Sequence, residues 1–191
     1  NQLKVMKKRV LICAMIALLW LQNIYAQNTY TNPVIRKYLA DPSVIKANDG
    51  WFYVYATESA GLAIPIYKSQ NLVDWTFVGS AFTKAGRPTF VKNGWLWAPD
   101  INYINGKYVL YYSMSVWGGE WECGIGVATS SSPSGPFKDH GKLFTSSEIG
   151  VRNSIDPCFF QDKDGKNYLF WGSFHGIYGA ELSADGLRLK K

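Results

Sequence analysis

Ala40-Asp41-Pro42-Ser43-Val44 and Ile155-Asp156-Pro157-Cys158-Phe159 are two copies of one short motif, and the same grammar follows each. A few strand-forming residues come next, then Asp49-Gly50 or Asp164-Gly165 at equal offset. An aromatic strand follows in which Tyr53 and Tyr168 again stand at matched places. A third copy lies between them as Trp97-Ala98-Pro99-Asp100-Ile101, then Asn105-Gly106, then Lys107-Tyr108-Val109-Leu110-Tyr111-Tyr112, with its turn three residues sooner. Measured on their acids Asp41, Asp100 and Asp156, the copies stand 59 and 56 residues apart. That period suits a propeller blade of four strands with decorated loops.

Working outward, the rest of the chain reads as strand and turn. Asn-Gly and Asp-Gly tolerate the positive φ of tight hairpins, so each copy pairs two antiparallel strands across its turn. A third strand is expected over residues 63–68, 124–129 and 177–182, and a fourth over 75–79 and 137–141. Residues 68–75 and 130–137 are the connections between third and fourth strands, the second of them rich in Ser, Pro and Gly, which stop strands. Four strands per repeat predict an all-β fold built from propeller blades. The third repeat breaks off at Ala184-Asp185-Gly186-Leu187, so fewer than three blades are expected where propellers have roughly four to eight. The chain is therefore read as the N-terminal part of a longer domain.

Residues 1–26 are set apart from that domain. Met6-Lys7-Lys8-Arg9 is basic, residues 10–21 are apolar and Ile24-Tyr25-Ala26 offers a small residue before Gln27, the pattern of a secretory signal peptide. Residues 1–5 precede its natural-looking start at Met6. A stretch of about a dozen apolar residues is short for a bilayer, which needs about 20. The expected location is secreted or periplasmic, with no membrane association after cleavage. Of the formal net charge of +6, the leader supplies Lys4, Lys7, Lys8 and Arg9, leaving 16 basic and 14 acidic residues in 27–191. No basic stripe remains to suggest nucleic acid as a partner. Two cysteines remain, Cys123 and Cys158. Export permits a disulfide between them, but two buried free thiols are the favoured reading.

In a propeller the first strand of every blade lines the central axis, so residues at one place in each repeat face one funnel. Asp41, Asp100 and Asp156 are thereby candidates for a single site, with Asp100 set apart by having its proline on the other side. Paired carboxylates suit glycoside hydrolysis: one activates water or attacks carbon while another group protonates the leaving oxygen. A carboxylate neighbour helps to raise an acid's pKa, because two like charges close together resist ionising both. Trp97, three residues before Asp100, and Trp117, in the Gly-containing loop Ser115-Val116-Trp117-Gly118-Gly119-Glu120-Trp121, are candidate stacking platforms for sugar rings. His175 lies where it could reach the funnel, His140 reads as a turn residue, and no metal-ligand spacing is visible. Gly118-Gly119 and Gly124-Ile125-Gly126 lack the Lys-Ser/Thr of a phosphate loop.

Together these motifs resemble glycoside hydrolase family 43, the five-bladed propeller hydrolases, and most closely its arabinan endo-1,5-α-L-arabinosidase branch, over residues 31–191. The resemblance rests on Ala40-Asp41-Pro42-Ser43, Leu96-Trp97-Ala98-Pro99-Asp100-Ile101, Tyr111-Tyr112-Ser113, Asn153-Ser154-Ile155-Asp156-Pro157 and Phe170-Trp171-Gly172-Ser173-Phe174. It implies Asp41 as the general base of an inverting reaction and Asp156 as the residue that orients the acid and raises its pKa. Trp97, Asp100, Trp117, Asn153 and Ser173 become expected substrate-binding residues, toward a polysaccharide or oligosaccharide of the plant cell wall. The family's general acid is a Glu in a Glu-Gly-Pro-like setting on a later blade, which nothing here matches; Glu148, Glu181, Glu58, Glu120 and Glu122 lack its flanks. Residues 27–191 alone are accordingly expected to be inactive or unstable. No cofactor is evident, and calcium in the full-length protein is an implication of the resemblance, through a His on a late blade. An exo-acting α-L-arabinofuranosidase, a β-xylosidase and a non-catalytic carbohydrate-binding propeller are the alternatives, and the oligomeric state is left open.

Overall fold

The computed structural model describes residues 29–190, together with Gln2 and Met6; the signal-peptide reading falls outside the described residues. Residue contacts separate Asn1–Asn32 from Pro33–Lys191, and the second unit holds all the sheets. Among the described residues no helix is long and apolar enough to cross a membrane.

Among the described residues eleven strands form three antiparallel sheets in chain order. Sheet 1 is β1 (Ser43–Lys46), β2 (Phe52–Tyr55), β3 (Pro65–Ser69) and β4 (Thr76–Ser80). Sheet 2 is β5 (Trp95–Ile104), β6 (Lys107–Ser115), β7 (Cys123–Ser130) and β8 (Lys138–Thr145). After a single helical turn, α1 (Ser146–Ile149), sheet 3 is formed by β9 (Cys158–Gln161), β10 (Asn167–Ser173) and β11 (Gly176–Glu181). Each sheet is a meander of sequential neighbours, as the repeat predicts, and the turns carry positive φ at Gly50, at Asn105 and Gly106, and at Gly165. His140 is corrected from turn to strand: it lies in β8, where Nε2 meets the Thr129 hydroxyl at 2.7 Å.

Sheet 2 is buried on both faces, and the period-2 alternation of a strand explains how. Along β6, Tyr108, Leu110, Tyr112 and Met114 pack with Tyr53, Tyr55, Ile64 and Ile66 of sheet 1 and its loops. The intervening Val109 and Tyr111 pack with Leu169 and Trp171 of sheet 3. The sheets thus stack face to face through two apolar layers.

Gly126 shows how tight the first layer is. It pairs with Tyr112 across β6 and β7, and a Cβ at Gly126 would occupy the space of the Tyr112 ring. The ring passes over the glycine so that its hydroxyl can donate to Asp139 Oδ1 at 2.6 Å. Gly126→Ala is expected to destabilise the fold by about 1–3 kcal/mol, the usual penalty of overpacking. A urea midpoint lowered at unchanged slope would verify it, and an unchanged midpoint would refute it.

Two sets of hydrogen bonds carry the repeat from sheet to sheet. The hydroxyl near the end of one sheet's second strand accepts the amide of the residue before the next sheet's motif proline. Ala98 N–H donates to Thr57 Oγ1 at 2.9 Å and Asp156 N–H to Ser113 Oγ at 2.8 Å. One residue after each proline, a side chain accepts an amide from the following sheet: Ile101 N–H to Ser43 Oγ at 3.1 Å, Phe159 N–H to Asp100 Oδ2 at 2.7 Å. The cysteines are both free; Cys123 is buried, but Cys158, at the entry of β9, is exposed, which corrects the expectation of two buried thiols.

Candidate active site

The residue before the motif proline takes a left-handed backbone in all three copies: φ is +51° at Asp41, +35° at Ala98 and +58° at Asp156. That conformation is uncommon outside glycine, and its recurrence marks the equivalent positions more firmly than the acids do. On this register the copies lie 57 and 58 residues apart, and the middle blade carries Ala98 where the others carry Asp. Asp100 is two residues further on, beyond a bulge in β5 between Trp97 and Asp100. Its carboxylate accepts from Phe159 N–H and from Asn102 Nδ2 at 2.9 Å, and burial pushes its pKa up despite those bonds. Asp100, expected to bind substrate, has a side chain that joins two sheets and is not among the residues lining the cavity.

The other expected residues meet. A cavity of about 630 Å³ is lined by Asp41, Trp97, Trp117, Asn153, Asp156 and Ser173, together with Thr57, Glu120 and Phe174. Each comes from the same end of its sheet. Asp41 precedes β1, Trp97 lies at the β5 bulge, Trp117 and Glu120 sit in the β6–β7 loop, Asn153 and Asp156 lead into β9, and Ser173 ends β10.

Thr57 is an orienting residue that the sequence reading passed over. Its hydroxyl donates to Asp41 Oδ2 at 2.7 Å while its oxygen receives the Ala98 amide, so one side chain fixes the acid of sheet 1 and the backbone of sheet 2. The alignment of Tyr55-Ala56-Thr57 with Tyr111-Tyr112-Ser113 is the signal that could have found it. Asp156 keeps solvent contact at the cleft, yet loses enough hydration among protein atoms that its pKa is raised. The charge of Asp41 adds to that rise. Two carboxylates from different blades thus sense each other across one cavity.

Trp117 is 94% exposed, and its ring meets that of Trp97 edge to face, with centroids 6.1 Å apart. Phe174, which the sequence reading quotes within a motif but does not nominate for the site, is 92% exposed and lines the same cavity. Asn153 holds φ +55° and donates its amide to Glu120 O at 2.7 Å. The Glu120 carboxylate is bonded to His175 Nε2 at 3.2 Å and paired with Arg152, and those two partners lower its pKa.

Four of the five glutamates that lack the acid's flanks have partners in the fold. Glu148 caps α1 through Thr145 and pairs with Lys142, Glu181 pairs with Lys190 at 2.6 Å and Glu58 with Arg87 at 2.6 Å. Glu120 lines the cavity but is held in its charged form, the opposite of what a proton donor needs. Among the described residues no group of three or more His, Cys, Asp or Glu is placed to hold a metal ion.

Comparison with known proteins follows from this geometry. The family model for glycosyl hydrolases family 43 matches residues 30–191. An extracellular endo-α-(1→5)-L-arabinanase of Bacillus subtilis (strain 168) is 40% identical over 145 residues, 71% of this chain and 43% of that protein. An extracellular exo-α-(1→5)-L-arabinofuranosidase of Cellvibrio japonicus (strain Ueda107) is 33% identical over 147 residues, 71% of this chain and 41% of that protein. Among solved structures, an α-L-arabinanase of Cellvibrio cellulosa in complex with arabinohexaose superposes with a TM-score of 0.69 at 31% identity. That match covers 80% of this chain and 50% of the other. The chain spans about half the length of the relatives it matches, and its three sheets are part of a five-bladed propeller.

Proposed function

Because the chain belongs to glycosyl hydrolases family 43, we propose that its cleft serves the hydrolysis of O-glycosidic bonds in plant cell-wall arabinan, by endo cleavage of α-1,5-linked chains in the whole, exported protein. The meeting of Asp41 and Asp156 in one cavity carries this reading. The names of the relatives supply the substrate.

In the proposed reaction Asp41 is the base. Its Oδ2 is occupied by Thr57, and among the described residues its Oδ1 accepts no hydrogen bond, which leaves that oxygen for a water molecule. The water's oxygen attacks the anomeric carbon from the face opposite the leaving group as Asp41 takes its proton. The glycosidic C–O bond breaks, and the leaving oxygen receives a proton from an acid outside the described residues. Inversion follows from that single displacement. Asp156, whose pKa is raised by lost hydration and then by the charge of Asp41, would orient the acid and, through its own negative charge, favour the acid's protonated form. Trp97, Trp117 and Phe174 offer faces to the sugar chain, and Asn153 and Ser173 offer polar contacts. Export would follow cleavage after Ala26, in keeping with relatives named extracellular.

The exo-acting relative favours a second reading, release of single arabinose units from chain ends. Product sizing on linear arabinan with the whole protein separates the two. Oligosaccharides of mixed length in the first minutes are the expected result, whereas arabinose alone from the outset would establish exo action, and no cleavage of any arabinan would refute both.

A further inference from the structure

Glu120 joins three separate segments of the cleft rim. Its carbonyl oxygen accepts the Asn153 amide at 2.7 Å, its Oε2 takes the Arg152 guanidinium, and its Oε1 faces His175 Nε2 at 3.2 Å. Arg152 and His175 are the chain neighbours of Asn153 and Phe174, and both of these line the cavity with Trp117. The loop that carries Glu120 is closed on itself. Gly119 N–H donates to Val116 O at 3.0 Å, and a Cβ at Gly119 would collide with the Val116 side chain. The next residue is tied as well, through Ser147 Oγ to Trp121 O at 3.1 Å.

Such a clamp does little for stability. The Arg152 and Glu120 side chains are 49% and 35% exposed, and an ion pair so open to solvent contributes little to folding. What the clamp does is tie together the chain segments that carry Trp117 and Phe174, two large aromatic side chains almost wholly in water that line one cavity. Exposed aromatic surface held rigidly is preorganised for a ligand, because the ordering cost of binding has already been met by the fold.

We propose that Glu120 is a positioning residue that sets the spacing between Trp117 and Phe174, presenting them as two preset stacking faces for rings of an arabino-oligosaccharide. The proposal rests on the arabinan reading for its ligand alone. Arg152 and His175 are its working partners, and an amide at position 120 retains an oxygen that can accept from one of them.

The test is calorimetric binding of arabinohexaose to the whole protein in an Asp41→Asn background, which prevents turnover. Glu120→Ala is expected to weaken binding about tenfold and Glu120→Gln by less. The Trp117→Ala and Glu120→Ala pair together should bind no more weakly than Trp117→Ala alone, since no spacing between two faces then remains to be set. With Asp41 intact, Glu120→Ala should raise KM about tenfold while kcat changes less than twofold. Unaltered affinity, penalties that multiply in the double variant, or a kcat that falls as far as KM rises would each overturn the proposal. Should the Asp41→Asn protein bind no arabinohexaose, the arabinan reading fails, and hydrogen exchange decides the clamp. Faster exchange over residues 116–121 and 174–176 in Glu120→Ala supports it, and unchanged exchange overturns it.

Discussion

Asp41→Asn in the whole protein will lower kcat on linear arabinan by on the order of 10²–10⁴, with KM little altered, because an amide cannot take the proton of the attacking water. Thr57 can still donate to the carbonyl oxygen of the introduced amide, so the backbone at this position and its link to Ala98 should survive. The variant also carries a spectroscopic prediction. Asp156 is held above the ordinary carboxylate range by lost hydration first and by the Asp41 charge second, so removing that charge should bring its pKa down without restoring the full ordinary value. Carboxyl carbon NMR across acidic pH would read the change. Unchanged hydrolysis would sink the catalytic assignment of Asp41, and an unmoved Asp156 would sink the claim that the two acids sense each other.

Asp156→Asn should pull activity and stability in opposite directions. Hydrolysis is expected to fall on the order of 10²-fold, since the proposed acid would lose the neighbour that keeps it protonated. Stability should rise at neutral pH. A carboxyl whose folded pKa lies above its unfolded one favours folding fully at pH below the unfolded value and loses that contribution as pH climbs through the folded value. At pH 7 the wild-type side chain is therefore ionised at a cost, which the amide removes. A Tm gain on the order of a few degrees at pH 7, shrinking as pH falls toward 4, is the expected pattern. A lower Tm at pH 7 would contradict it, as would a gain that grows on acidification.

The reach of the sequence is clearest at the motif prolines. Pro42 and Pro157 sit after an Asp in a left-handed conformation, which Asp tolerates better than most residues, and the repeated Asp-Pro pair could be read directly. Pro99 carries the same backbone with Ala98 in the acid's place. Reading that copy by its acid selects Asp100, whose side chain turns out to be needed between sheets. The bulge that separates the two residues leaves no mark in the alternation of β5.

The cleft walls were legible where residue type or a motif marks them, as with Asn153 and Ser173. Trp97 and Trp117 announce themselves by type. Glu120, by contrast, gets its meaning from Arg152 and His175, brought to it from 32 and 55 positions away in the chain. Long-range pairs among unlike segments have no period, and pattern reading depends on period. The blades themselves, each a meander of neighbours joined by Asp-Gly and Asn-Gly turns, are local in their pairing and could be read for the same reason.

The amides of Ala98 and Asp156 each donate to a hydroxyl of the preceding sheet, which makes them reporters of the seams between blades. Either can exchange with solvent only when its seam parts, so their exchange rates measure opening free energies seam by seam rather than for the whole domain. The second seam also holds the backbone of Asp156. A solvent or temperature change that loosens it would therefore release the cleft's carboxylate before any sheet unfolds, and loss of activity should precede loss of circular dichroism.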